Sequence, residues 1–321
     1  MFYKRSVAVA AAFTVAVALP VLTAGSASAI YLPWTVQTVF ALAPDNSYVA
    51  EWNGPGAGWT IIGGPASAVY AGYAGVFATD PTTGDIFEYN GTPNSWTEIG
   101  GPGAQFAEGG GHLYGLGPNS SYVAEWNGPG AGWTIIGGAA AEIEAGPYGL
   151  VATGPGTGGD IFHYNGTPNS WTEIGGPPSS TELGSLAVGS DGVYRIEPTT
   201  ATGTVVDKWS GGTTWAPILT VGSEPEVSEL VVGAAGVYLW KATPTAKGFF
   251  KYDGTPNDWT QITTIDADNA GLFASVESAT SLYGVTLDHS LASTNVEIYS
   301  GSGSSWTVIG GPADPALGAG D

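Results

Sequence analysis

The 321-residue chain has no cysteine, so disulfides cannot hold it together and no thiol is available for a lipid anchor. It is also short of positive charge. Seven Lys and Arg stand against 28 Asp and Glu, a net −21. Nucleic acid and anionic membrane surfaces need a basic face, so the composition excludes both as partners. From Ile30 to Gly184 there is no Lys or Arg at all; Arg195, Lys208, Lys241, Lys247 and Lys251 are the only cations after Arg5. Such acidity suits a soluble exported protein. Long apolar runs are missing too, with one exception. Val7 to Leu22 follows Lys4 and Arg5, is broken by Pro20, and leads to Ala27-Ser28-Ala29. The run is too short for a bilayer span of roughly 20 residues and carries the marks of a signal peptide over residues 1–29. The expectation is a secreted, extracellular, monomeric domain over residues 30–321.

What the chain does have is 12 Trp, 15 Tyr and 10 Phe among 51 Gly and 22 Pro, an all-β balance of aromatic strands and tight turns. It also repeats. The seventeen residues Tyr48–Gly64 recur unchanged at Tyr122–Gly138, and Asp85–Pro102 recurs at Asp160–Pro177 with Glu88 replaced by His163. Beneath this duplication lies a sevenfold pattern. An aromatic residue at Trp52, Tyr89, Trp126, Tyr164, Trp209, Tyr252 and Tyr299 is followed six or seven residues later by Trp59, Trp96, Trp133, Trp171, Trp215, Trp259 and Trp306. A second motif centred on Phe40, Phe77, Tyr114, Val151, Tyr194, Tyr238 and Tyr283 precedes each copy.

Each unit reads as four short strands, with Asn-Gly or Asp-Gly opening the last hairpin. Seven such units predict a seven-bladed β-propeller of four-stranded antiparallel blades. The first unit has little room for an innermost strand, so the C-terminal tail, residues 312–321, is expected to supply it and close the ring. The last three units are longer by about seven residues each.

Catalytic chemistry is thinly represented. There is no G-x-S-x-G, and the three histidines, His112, His163 and His289, form no metal-binding spacing. His163 shares its slot with Glu51, Glu88, Glu125, Lys208 and Lys251, which reads as a solvated strand position. Asp266, Asp268, Gly271 and Glu277 match parts of a calcium loop, but Ala270 interrupts it, and a plain turn is the simpler reading. No catalytic residue, metal or cofactor is therefore expected. A polysaccharide lyase or hydrolase is the third-ranked function, since such an enzyme needs cations near its substrate and Arg195 is the only arginine after Arg5. The ligand candidates are the aromatic-Asn pairs Trp52-Asn53, Tyr89-Asn90, Trp126-Asn127 and Tyr164-Asn165. A sugar can stack its C–H face on the ring and bond its hydroxyls to the amide. The same residues suit a core aromatic and a turn.

The runs WTEIGG, FAEGGG, HLYGL and SYVAEWNG, found between Trp96 and Gly128, resemble tectonin or tachylectin-2 repeats. That resemblance implies a propeller lectin with several equivalent sugar sites. It departs in blade number, since members often have five or six. The chain is also similar in size and export signal to seven-bladed proteins like dispase autolysis-inducing protein. That comparison implies an extracellular protein-interaction module regulating a protease, or a transglutaminase substrate whose donors would be Gln37, Gln105 and Gln261. Glycans or an extracellular protein are the expected partners.

Overall fold

The computed structural model describes residues 11–12, 38–156, 159–176, 186–200, 203–222, 226–232, 236–242, 247–263, 272–277, 282–287 and 294–311. They form seven four-stranded antiparallel sheets, each a meander in sequence order. From the inside outward, the first blade is Ala11–Ala12, Thr38–Leu42, Val49–Trp52 and Trp59–Gly63. The second is Ala68–Gly72, Gly75–Thr79, Ile86–Tyr89 and Trp96–Gly100. The third is Gln105–Gly109, His112–Leu116, Val123–Trp126 and Trp133–Gly137, and the fourth is Glu142–Gly146, Gly149–Thr153, Ile161–Tyr164 and Trp171–Gly175. The fifth is Leu186–Val188, Val193–Thr200, Gly203–Gly211 and Thr214–Val221, and the sixth is Glu226–Val232, Val237–Ala242, Lys247–Tyr252 and Trp259–Gln261. The seventh is Leu272–Glu277, Leu282–Leu287, Thr294–Tyr299 and Trp306–Gly310. Only a 3-10 turn at Pro118–Ser120 interrupts the β structure among the described residues.

The second tryptophan of each repeat binds the blades together. The indole N–H of Trp96 donates to Ile62 O (2.8 Å), Trp133 to Ile99 O (2.7 Å), and Trp171 to Ile136 O (2.9 Å). Trp215 does the same to Ile174 O (2.8 Å), Trp259 to Ile218 O (3.3 Å), and Trp306 to Ile262 O (2.9 Å). Trp59 completes the circle with a 2.8 Å bond to Ile309 O in the last blade. In each case the acceptor is the isoleucine three residues after the previous blade's own tryptophan. The glycine after it makes room. A Cβ on Gly63, Gly100, Gly137 or Gly175 would lie 2.5–2.9 Å from the indole nitrogen of the next blade, and Gly310 is equally tight against Trp59. Leu219 and Thr263 replace this glycine in blades 5 and 6, and the bond at Ile218 is the longest of the seven.

The core lies between blades, as in the cluster joining Phe40, Leu42 and Ile62 to Val69, Ala71 and Val76. The inner place beside Thr38–Leu42 is held by Ala11–Ala12, from the segment read as a leader, through Ala12↔Thr38 and Ala11↔Val39. An apolar stretch with free backbone groups satisfies an open sheet edge. The tail expected there, residues 312–321, lies outside the described residues.

Candidate functional site

A four-strand meander puts its first and third turns on one end of the blade and its second turn on the other. The ring therefore has two unlike faces. In blades 1 to 4 the third turns read NGPGAG, NGTPNS, NGPGAG and NGTPNS, and the described first turns contribute Tyr73-Ala74, Gly110-Gly111 and Pro147-Tyr148. None of these turn residues is charged. The opposite face of the same blades carries Asp45, Asp80, Asp85 and Asp160 in its second turns.

The eight predicted ligand residues lie at the neutral end, where they build the blade. Trp52 and Tyr164 are buried, at 4% and 6% exposure, and cannot offer a ring face to a ligand. Tyr89, Trp126 and Tyr164 pack on Trp96, Trp133 and Trp171 at centroid distances of 5.0, 5.6 and 5.1 Å. Trp52 meets Tyr283 of the last blade edge-on at 6.3 Å. Tyr89 and Trp126 remain half-buried. The Asn53 amide donates to Gly58 O (3.0 Å) and Thr60 Oγ1 (2.9 Å), and the Asn127 amide donates to Gly132 O (2.7 Å) and Thr134 Oγ1 (2.9 Å). Asn90 donates to Ser95 and Thr97, and Asn165 to Ser170, each at 3.1 Å. A turn opened by Asn-Gly needs these bonds, because its backbone groups have no ladder partner.

Sequence reasoning missed two exposed aromatics on the neutral face. Tyr73 is 70% exposed and Tyr148 is 41% exposed. They lie in corresponding two-residue turns of the duplicated block, Tyr73 at the first position and Tyr148 at the second. Tyr148 lies 5.5 Å from His163 and 6.1 Å edge-on from Trp209 of blade 5, and His163 stacks on Trp209 at 6.1 Å. The one hint was a tyrosine in a turn that the fold does not require.

The Glu/His/Lys slot is also corrected. Its residues are half-buried, and His163 faces Trp209 of the next blade. His163 is half-buried, with Nε2 shut from solvent and lacking a hydrogen-bond partner. Burial pushes the carboxyls of Glu51 and Glu88 up. Glu125 is half-buried and meets Nδ1 of the exposed His112 at 2.6 Å. Long polar side chains suit this place because their stems and flat faces pack on an aromatic ring.

Most of the cations are engaged as well. Arg195 is 9% exposed, bonds Asp207 (3.1 Å), Glu197 (2.6 Å) and Gly176 O (3.1 Å), and lies 4.4 Å over the Trp215 ring. Lys208 pairs with Asp191. Lys241 lies 4.0 Å from the Phe250 ring centre, and burial lowers its pKa. Lys251 lies over Tyr238. All five cations stand on strands, so they do not arm the long loops. Gln105 clamps blade 3 to blade 4 through Ile143 O (2.7 Å) and Ile143 N (2.9 Å). Gln261 donates to Lys247 O and Thr263 O. Gln37 and Asp266 to Gly271 lie outside the described residues, and Glu277 ends the inner strand of blade 7. No group of three or more His, Asp or Glu able to hold a metal occurs among the described residues.

Glu144, on the inner strand of blade 4, gives the ring a pH dependence. Burial, reinforced by the Glu142 charge, raises its carboxyl from 4.5 to about 8. The folded state binds this proton more tightly than the unfolded chain. Its stabilisation is therefore complete below about pH 4.5 and is lost as pH rises through about 8. Calorimetry should show a Tm at pH 5 at least about 3 °C above that at pH 8.5, with the gap narrowed in Glu144→Gln.

No family model and no curated protein matches the chain. Solved structures do. The chain is similar to YCF48 bound to D1 peptide, with TM-score 0.54 and 14% identity over 77% of this chain and 86% of that one. It is a seven-bladed β-propeller. A mutant puromycin hydrolase complexed with PGG aligns at TM-score 0.59 and 13% identity over 87% of this chain, but this chain spans only 53% of it. AztD of Citrobacter koseri aligns at TM-score 0.50 and 14% identity, over 86% and 82%. At these identities the propeller shares a fold with them.

Proposed function

We propose that this propeller is a secreted, non-enzymatic, multivalent binding protein, and that its ligand is a neutral glycan taken on the uncharged turn face. The observation that carries this reading is the pair of exposed tyrosines, Tyr73 and Tyr148, on a face of blades 1 to 4 whose described turns offer only Gly, Pro, Ala, Asn, Ser, Thr and Tyr. An aromatic ring beside amides and hydroxyls suits a sugar, with a C–H face for the ring and hydroxyls for the polar groups. Two weak sites on one rigid ring gain avidity on a surface carrying many copies of the glycan. The tectonin-like repeats point the same way.

A glycan array probed with residues 30–321 tests it. Binding to neutral glycans is expected, and Tyr73→Ala with Tyr148→Ala should weaken it more than about tenfold through lost avidity. No binding to any neutral sugar at millimolar concentration would sink the proposal.

A protein partner is the second reading. Ile61, Ile135 and Val308 are 54–56% exposed on outer strands, where the sheet edge is free to pair with an extended segment. A fold neighbour, YCF48, is bound to a peptide. Ile61→Asp with Val308→Asp would abolish such binding and leave a glycan interaction intact.

A further inference from the structure

We propose that Asn90 and Asn165 are sites of spontaneous deamidation, through which the uncharged face of the ring gains negative charge as the protein ages. The proposal concerns the turns alone and is independent of any ligand.

The reaction needs an asparagine whose side-chain carbonyl carbon can be reached by the backbone nitrogen of the next residue. Glycine is the least hindered successor, because it has no Cβ to crowd that nitrogen. Such pairs open the third turns of blades 1 to 4, as Asn53-Gly54, Asn90-Gly91, Asn127-Gly128 and Asn165-Gly166. All four asparagines are exposed, so water reaches them. Nothing lies within 4 Å of where a Cβ would stand on any of the four glycines, whose φ angles are +94°, +76°, +92° and +75°. In the first step the Gly91 nitrogen bonds to Cγ of Asn90, and the bond from Cγ to Nδ2 breaks. Ammonia leaves, taking up the proton lost from the glycine nitrogen. Water then opens the cyclic imide. Opening at one carbonyl gives aspartate, and opening at the other gives isoaspartate, in which the main chain runs through the side-chain carbon. By either route a neutral amide becomes a carboxylate, with water as the only co-reactant.

The four sites differ in how firmly each amide is held. Attack requires the side chain to leave its present partners. Asn53 and Asn127 each donate to a backbone carbonyl, Gly58 O at 3.0 Å and Gly132 O at 2.7 Å, and to a threonine hydroxyl at 2.9 Å. The side chains of Asn90 and Asn165 bond only to hydroxyls, those of Ser95, Thr97, Ser170 and Thr172, each at 3.1 Å. A hydroxyl rotates to other partners, whereas a carbonyl fixed in a closed turn does not. Asn90 and Asn165 are therefore released more often and react first.

Blade 6 already carries the acid. Its turn Asp253-Gly254-Thr255-Pro256-Asn257-Asp258 matches Asn90-Gly91-Thr92-Pro93-Asn94-Ser95, with Asp253 in the place of Asn90. Asp253 N donates to Asp258 O at 3.0 Å, as Asn90 N donates to Ser95 O at 2.9 Å. Thr260 Oγ1 donates to Asp253 Oδ2 at 2.7 Å, as Thr97 Oγ1 donates to Asn90 Oδ1 at 3.1 Å. A carboxylate at this position leaves the turn intact. Aspartate formed at Asn90 or Asn165 thus keeps the blade folded while it charges a face whose described turns carry no charge in blades 1 to 4.

The test follows the purified chain in mildly alkaline buffer by peptide mass spectrometry. Cleavage after glutamate puts the four turns on separate peptides, because Glu51, Glu88, Glu125 and Glu144 lie between them. Acid should accumulate several-fold faster at Asn90 and Asn165 than at Asn53 and Asn127. Thr97→Val, which removes a partner of Asn90, should speed the reaction at Asn90 and leave Asn165 as it was. Asn90→Asp should melt with the unmodified chain. Equal rates at all four sites, a lead by Asn53 and Asn127, or no acid at Asn90 and Asn165 would overturn the proposal. A Thr97→Val chain with an unchanged rate at Asn90 would overturn the part given to the hydroxyls.

Discussion

Gly63→Ala should destabilise the ring by about 1–3 kcal/mol, a large effect for one methyl group on a strand of ordinary backbone conformation. The added Cβ would lie 2.8 Å from Nε1 of Trp96, so the indole must move. Moving it breaks the 2.8 Å bond to Ile62 O. That carbonyl also accepts from Asn94 N at 2.7 Å, in a turn that Asn94 closes with φ +63°, so the strain reaches the turn of the next blade. A thermodynamic cycle isolates the contact. Trp96→Ala alone should cost about 3–5 kcal/mol, and in that background Gly63→Ala should cost almost nothing. Chemical unfolding of the four proteins gives the coupling. Additive costs would mean that the glycine serves only backbone freedom.

Arg195→Met should be as damaging as Trp96→Ala, about 3–5 kcal/mol, because it strands a buried charge. Asp207 is 5% exposed and takes both its ionic contacts from the Arg195 guanidinium. Burial and the Asp207 charge already raise the carboxyl of Glu197, while Arg195 lowers it. Without the cation, both acids face only each other. The guanidinium also bonds Gly176 O and covers Trp215, which staples blade 5 to blade 4. Loss of Arg195 therefore loosens the boundary between short and long blades. Arg195→Met with Asp207→Leu should recover most of the loss, since a buried ion pair contributes little beyond a well-packed apolar pair. A double variant no better than the single one would show that the guanidinium acts through Gly176 and Trp215 alone.

Both predictions concern contacts that the sequence displays without explaining. The Trp-x-x-Ile-Gly run is visible seven times in outline, and with the aromatic-centred strands it yields the blade count and strand order. Its mechanism is hidden, because each indole meets an isoleucine 34 to 44 residues earlier, and Trp59 meets Ile309, which is 250 residues away. The aromatic-Asn pairs read equally well as sugar site or as core and turn, since the same ring and amide serve both. Burial of Trp52 and Tyr164 shows that for those two rings the core won. The slot of Glu51, Glu88, Glu125 and His163 looked solvated because it tolerates opposite charges. The tolerance comes from an aromatic neighbour in the next blade, which no local pattern reveals. Tyr73 and Tyr148 were legible only as departures from an otherwise Gly-rich turn.

The two unlike faces of the ring are the centre of the functional account. Amide chemical-shift mapping of residues 30–321, titrated with a neutral glycan found on the array, tests them directly. The account predicts perturbations at Tyr73, Tyr148, Trp209 and the third turns of blades 1 to 4. Perturbations gathered instead around Asp45, Asp80 and Asp160, with Tyr73 and Tyr148 unmoved, would contradict it.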